Sequence, residues 1–293
     1  MFFKEERSDL ILIDLNNTLI RSLVVNRMLS HKGMCTGGIY GFMMQLSAII
    51  NNYNPKHIVV CDDKRPYLRE EEFGEFKADR AKKIEKDEDD GFFEALKYNK
   101  GKVKKILEMM NIPVLSRKGL EADDWIALLT IEYAHQFDRV IAVVNDTDLY
   151  SLFRFENVYF HKRDMKTKKT ILYGKKQFEQ DFYPVTAENW VLYTAMVGSH
   201  NNFPGIKGIG KKKAQKTLSD SDALYLMLKR NKEHFERADK ILTYPYQGVS
   251  LDQPKSSILL KHHSKTMDVI KLLVSHGIQV RASMETALDY FRE

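Results

Sequence analysis

Acidic residues in this chain stand where hydrophobic runs stop. Asp14 follows LILI, Asp62 and Asp63 follow HIVVC, Asp146 and Asp148 follow RVIAVVN, and Glu121, Asp123 and Asp124 open a long apolar-periodic segment. In an open parallel sheet the ligand crevice lies outside the carboxyl ends of the strands, so side chains scattered along the sequence converge there. Carboxylates brought together raise one another's pKa values, and hard, oxygen-preferring ions such as Mg2+ or Mn2+ relieve the repulsion. The pattern points to a metal-dependent enzyme acting on a phosphate.

Each cluster alone has a plainer reading. Acids in a first helical turn complement the helix dipole, and an Asp pair after a strand forms an Asx-type turn. Their joint placement at strand ends is what departs from chance. Glu121 and Asp124, three apart, share one helix face, while Asp123 points elsewhere, toward a second ion or a supporting partner. Asp146 and Asp148, two apart on extended chain, face the same side.

Periodicity gives the frame. Residues 9 to 14 and 57 to 62 read as short strands around a helix at 37 to 52, where Ile39, Phe42, Met43, Leu46 and Ile49 recur at helical spacing. Residues 64 to 100 are highly charged with interspersed aromatics and read as a helical excursion. Helical periodicity returns at 102 to 110, followed by a strand at 112 to 115, an acidic helix from 121 to about 136 and a strand at 139 to 144. This alternation predicts an α/β fold with a parallel-type central sheet and right-handed connections. After residue 174 helices dominate. The chain divides into a core at 1 to 180, with its excursion at about 64 to 110, and a helical region at 181 to 293.

Only Cys35 and Cys61 are present, too few for a disulfide framework or a cysteine-ligated zinc site, which fits a reducing cytoplasm. No run is long and apolar enough to span a bilayer, and the amino-terminal MFFKEERSD turns charged before a signal-like segment develops, so no membrane partner is expected. The formal charge of +6 is unevenly spread, with basic runs at 97 to 105, 161 to 169 and 205 to 216. Beside an acidic centre, such runs favour a polyanionic substrate. Gly205, Lys207, Gly208, Gly210, Lys211, Lys212 and Lys213 form a glycine turn flanked by helices. Its backbone N–H groups and the following helix start make a sequence-blind phosphate clamp. The strand that precedes a dinucleotide-binding loop is missing there.

LIDLNNT, VVCDD, GEFKADR, LEADDWIA, VVNDTDLYSL and FPGIKGIGKKKA together resemble, in order and approximate spacing, the 5′-nuclease superfamily over roughly residues 9 to 218. The nearest likeness is to phage-type flap endonucleases, phage ribonuclease H and the 5′–3′ exonuclease domains of bacterial DNA polymerase I. The resemblance implies a PIN-like nuclease core, a helical arch over the charged excursion, and a helix–hairpin–helix element at about 187 to 218 that grips duplex DNA and holds a K+ ion. It implies Asp14, Asp62 or Asp63, Glu121, Asp123, Asp124, Asp146 and Asp148 as carboxylates for Mg2+ or Mn2+, the choice between Asp62 and Asp63 being open. Lys77 and Arg80 match an arch pair that contacts the scissile phosphate, and Arg21 matches a basic residue facing it. The implied partners are 5′-flap, branched or nicked DNA, RNA–DNA hybrid and replication proteins, with the chain a monomer in the cytoplasm, that of the host if it is phage-encoded.

One departure affects the metals. Relatives carry two aspartates before the hairpin, whereas this chain reads Gly198-Ser199-His200-Asn201-Asn202-Phe203-Pro204-Gly205. Asn201 still offers a carbonyl oxygen, and His200 suits Mg2+ poorly. The expectation is a firm first ion and a second that binds weakly or only with substrate phosphate. Two rival readings follow: a catalytically impaired DNA-junction binder on the same fold, and a haloacid-dehalogenase-type phosphatase built on Asp14-Leu15-Asn16-Asn17-Thr18-Leu19. The phosphatase chemistry wants an acid where Asn16 stands, and it leaves the basic hairpin unexplained.

Overall fold

The computed structural model describes residues 8–74, 76, 91–164, 167, 169–199, 203–260, 263 and 265–290. Lys77, Arg80, His200, Asn201 and the middle of the charged excursion, residues 75 and 77–90, lie outside the described residues. Strand β1 is Asp9–Asp14, followed by a helix at Leu15–Val25 and a two-stranded hairpin of β2 (Ser30–His31) and β3 (Met34–Cys35). A helix at Gly37–Tyr53 leads to β4 (His57–Cys61), and a short helix at Leu68–Glu72 comes next. The helix read at 102 to 110 starts earlier, spanning Phe92–Met109, because its amino-terminal turns are polar outside and bury only Asn99 there. Strand β5 (Val114–Leu115), a helix at Ala122–Tyr133 and β6 (Arg139–Val143) follow. Strands β7 (Val158–Arg163) and β8 (Thr170–Gly174), which periodicity did not single out, complete the sheet.

The sheet order is β5-β4-β1-β6-β7-β8. All neighbouring pairs are parallel except β7 with β8, so the fold is α/β with a mostly parallel sheet and one antiparallel edge. Asp14 pairs in register with Cys61, and Ile13 with Val143, which brings the carboxyl ends of β1, β4 and β6 to one edge. The chain leaves β1 toward β4 on one side and meets β6 on the other, and that reversal of strand order is where an open sheet forms its crevice.

Alternation splits the strands between two cores. Leu10, Leu12, Val59, Cys61, Val140 and Ala142 face one side with Trp125, Ile126 and Leu129 of the acidic helix. Ile11, Ile13, Ile58, Val60, Ile141 and Val143 face the other with Val103, Ile106 and the Gly37–Tyr53 helix. Burying each such aliphatic side chain is worth about 1.5–3 kcal/mol. At Gly41 a Cβ would come within 2.7 Å of Ser22, so only glycine lets the Gly37–Tyr53 and Leu15–Val25 helices touch there.

The carboxyl-terminal third takes part in both cores. Phe235, Ala238, Ile241, Leu242, Tyr244 and Ile258 join the first, and Val269, Leu273, Ile278, Met284 and Leu288 join the second. The helix at Thr266–Ser275 therefore closes the second face over the Phe92–Met109 helix, and the helix at Ala282–Asp289 over the Gly37–Tyr53 helix. Among the described residues no helix is long and apolar enough to cross a membrane.

Candidate active site

Asp14 ends β1 and caps the next helix, its carboxylate accepting the Asn17 N–H at 2.9 Å. Behind it the buried Asn17 Oδ1 and Arg21 Nε make no hydrogen bond, and Arg21, whose guanidinium burial depresses and Asp14 partly restores, reaches Gln45 Oε1 at 3.3 Å. Asp63 accepts the Asn16 amide at 2.7 Å and the Ala122 N–H at 2.6 Å, so it ties the start of the first helix to the start of the acidic helix. The Cys61 thiol, pushed up first by full burial, also feels Asp14, Asp123, Asp63 and Asp62, in that order of strength. Asp14, in register with Cys61, and Asp63, bonded to the N–H of the residue before Asp123, thus lie at the same edge of the sheet as the start of the acidic helix.

Asp62 behaves differently from its neighbour. It is 1% exposed, and it meets Lys100 Nζ at 2.5 Å and Lys104 Nζ, both from the Phe92–Met109 helix, with Lys100 approaching as an ion pair off the hydrogen-bond direction. Strand parity explains the division. Successive residues point to opposite faces, so Asp63 follows Cys61 and Asp14 toward the acidic helix, while Asp62 follows Val60 toward the other core.

Glu121 is the N-cap of the Ala122–Tyr133 helix, and Asp124 closes the capping box by accepting the Glu121 N–H at 3.0 Å. Both acids are buried, and Arg69, itself 1% exposed, accounts for them. Its Nη1 donates to Asp124 at 2.9 Å and to Glu121 Oε2 at 3.3 Å, Nε donates to the Ile241 carbonyl at 3.0 Å, and Nη2 donates to the Thr243 carbonyl at 2.7 Å. The guanidinium also lies over the rings of Tyr244 at 4.1 Å and Tyr246 at 5.1 Å. Burial alone would depress Arg69, but Tyr244, Asp124 and Glu121 outweigh it and hold the guanidinium above the ordinary arginine value. The Tyr246 N–H donates to Asp124 Oδ1 at 2.8 Å, which fills the remaining acceptor capacity of that carboxylate.

Asp146 accepts the Asp148 N–H at 3.1 Å, and Asp148, 6% exposed, starts the 3-10 helix at Asp148–Arg154. The hydroxyl of Tyr244 is buried without a hydrogen-bond partner, and its pKa is raised first by burial, then by Glu121, Asp148 and Asp123, with Arg69 opposing. Among the described residues no three His, Cys, Asp or Glu side chains stand as a ready-made metal cage. The donor chemistry nevertheless fits a hard divalent cation: Asp14, Asp63, Asp123, Asp146 and Asp148 offer oxygen alone, and the orphaned Tyr244 hydroxyl and Asn17 Oδ1 mark polar capacity that the chain leaves open.

Further along, a helix at Trp190–Val197, a turn and a helix at Lys211–Leu218 follow in sequence. Gly205 sits against the Val197 carbonyl, where a Cβ would meet that group's carbon at 2.6 Å, and the Ile206 N–H donates to the Met196 carbonyl at 2.9 Å. Gly208 has φ 80°, Gly210 is the N-cap, and Lys207, Lys211, Lys212 and Lys213 are exposed. Arg69, Asn16, Lys100, Lys104 and Tyr244 were not singled out by sequence reasoning. Arg69 lies in the charged run REEE, and only its burial distinguishes it from a solvated arginine.

A mostly parallel sheet with acids at the carboxyl ends of its strands is the fold of PIN-like flap nucleases. Over 96% of this chain and 97% of that one, the structure superposes on T5 5′-exonuclease described with bound zinc, with a TM-score of 0.66 at 16% identity. It superposes on Methanococcus jannaschii flap endonuclease-1 with a TM-score of 0.65 at 17% identity, over 99% and 94% of the two chains. In sequence it is 31% identical to a 5′-3′ exonuclease of Aquifex aeolicus, over 70% of this chain and 66% of that one. It is 30% identical to a DNA polymerase I of Caldicellulosiruptor bescii, over 79% of this chain and 26% of that one. The chain thus spans about a quarter of the length of the polymerase relatives it matches. The family described as 5′-3′ exonuclease, N-terminal resolvase-like domain, matches residues 9–183, and the chain belongs to it.

Proposed function

We propose that this protein is a structure-specific 5′ nuclease that hydrolyses phosphodiesters of branched or 5′-ended DNA in replication, using a divalent cation. The observation that carries the proposal is the placement of acids at the strand ends: Asp14 in register with Cys61, Asp63 bonded to the Ala122 N–H beside Asp123, and Asp146 and Asp148 on the loop beyond β6. These five carboxylates would hold Mg2+ or Mn2+. Glu121 and Asp124 are occupied by Arg69 and set the start of the acidic helix, and Asp62 is compensated by Lys100 and Lys104.

A bound divalent cation would lower the pKa of a water and offset charge on the phosphate. Arg21, half-buried beside Asp14, supplies a fixed positive charge facing the substrate phosphate. Lys77 and Arg80 take the scissile-phosphate contacts, Asn201 offers an oxygen to a second ion, and a K+ ion sits at the hairpin, all by the family resemblance. The turn at Gly205 to Lys213 grips the duplex backbone through N–H groups and exposed lysines, independent of base sequence. Relatives described as DNA polymerase I, and a T5 flap endonuclease described in complex with DNA and metal ions, support the substrate class and a cytoplasmic setting.

The test is cleavage of a 5′-labelled flap DNA and a matched blunt duplex with Mg2+, Mn2+ or EDTA. Cation-dependent cutting near the junction is expected, and Asp146→Asn should slow it at least about 100-fold, roughly 2.7 kcal/mol at the transition state, while leaving junction binding intact. A second reading, a junction binder that does not cut, is favoured by the missing aspartates of the Gly198 to Asn202 loop. Tight flap binding with no cleavage under either cation would select it.

A further inference from the structure

Tyr244 is a polar group at this centre with no role in the account so far. Its side chain is 4% exposed, and its hydroxyl is buried without a hydrogen-bond partner. An unmet buried hydroxyl costs about 1–3 kcal/mol, so such groups persist where something outside the polypeptide completes them. The hydroxyl lies within electrostatic reach of Glu121, Asp148 and Asp123, acids from two separate elements of the centre. None of them takes its proton in a hydrogen bond.

The placement is built. Arg69 covers the Tyr244 ring at 4.1 Å and donates to the carbonyls of Ile241 and Thr243 on the residues leading to it. Two residues beyond, the Tyr246 N–H is fixed on Asp124. The buried guanidinium that organises the acidic helix therefore also orients this phenol, which arrives from a part of the chain outside the family match at residues 9–183.

We propose that the Tyr244 hydroxyl donates a hydrogen bond to a water ligand of the divalent cation gathered by the acidic centre, making Tyr244 a positioning residue for that water. The oxygen of such a water is an acceptor that carboxylates can hold in place, and a phenol has a proton to give it. This inference rests on the divalent-ion reading above.

The experiment is titration of the full chain with Mn2+ by calorimetry, comparing the unsubstituted protein, Tyr244→Phe and the control Tyr183→Phe, whose side chain is 80% exposed. Tyr244→Phe should weaken Mn2+ binding roughly tenfold, the low end of the effect of losing a group that supports a metal ligand, with Tyr183→Phe unchanged. Melting in EDTA should show no loss of Tm for Tyr244→Phe, because the hydroxyl it removes has no partner among the described residues. Wild-type Mn2+ affinity in Tyr244→Phe, or a lowered Tm in EDTA, would overturn the proposal and leave the nuclease reading standing. No Mn2+ binding by the unsubstituted protein would overturn the divalent-ion reading and this proposal together.

Discussion

Two adjacent acids at the end of β4 meet opposite faces of the sheet, and each face handles buried charge in its own way. On the face of the acidic helix, Arg69 satisfies Glu121 and Asp124 with a rigid fork wholly inside the protein, its donors also filling two backbone carbonyls. On the other face Asp62 is held by Lys100 and Lys104, whose side chains are 23% and 38% exposed and keep contact with water. A planar guanidinium fixes geometry, whereas ammonium groups on flexible stems only supply charge. The first face is locked and the second is adjustable, and the candidate metal carboxylates are mounted on the locked one.

Removing the lock has the largest expected effect. Arg69→Leu leaves Glu121 and Asp124 buried without compensation, and urea unfolding should show a loss of about 3–5 kcal/mol. Arg69→Lys, which keeps the charge and discards the fork, should recover only part of that loss, and full recovery would refute the contrast between the faces. Next comes the adjacent pair itself. Asp63→Asn should slow flap cleavage about 100-fold with little change in stability. Asp62→Asn should cost about 1 kcal/mol or less, since its partly exposed lysines can return to water, and should leave cleavage within about threefold. The reverse order of the two rates would place Asp62 in the centre.

The smallest effect concerns pH and belongs to the second face. His161, half-buried against the Tyr53 hydroxyl at 2.8 Å, is lowered to about 4 by burial and by Arg21. Between the ordinary histidine value of 6.5 and about 4, the unfolded chain takes up a proton that the folded chain refuses. Stability therefore falls as pH falls through that window and is unaffected above it. Melting from pH 7 down to 4.5 should show this decline, and His161→Gln should flatten it.

The contrast also shows what a linear sequence can disclose. Strands β1, β4 and β6 were legible because each is a short β-branched run, and the acids after them were legible because a strand end is a break in hydrophobicity. The helix start at Glu121 announced itself by acids in a first turn. Whether Asp62 or Asp63 serves the site was not legible, because a one-residue change of face follows from the register of β4 on β1, which no local pattern encodes. Strands β7 and β8 carry Lys162, Arg163 and Thr170 at positions near the edge of the sheet, so their alternation lacks a clean hydrophobic face. Arg69 and Tyr244 were hidden for a different reason: 175 residues of sequence separate them, and each looks ordinary until the other lies against it.

That last contact bears on where the smallest working unit ends. A fragment cut after residue 183 would retain every candidate metal carboxylate of this chain, yet it would lose the Ile241 and Thr243 carbonyls, the Tyr244 ring and the Tyr246 N–H that complete Arg69 and Asp124. The acidic helix would then begin on a buried cation with open donors. In heredity the signature is a property of the first two thirds of the chain; in mechanics it is clamped from behind by the last third, and the two boundaries do not coincide.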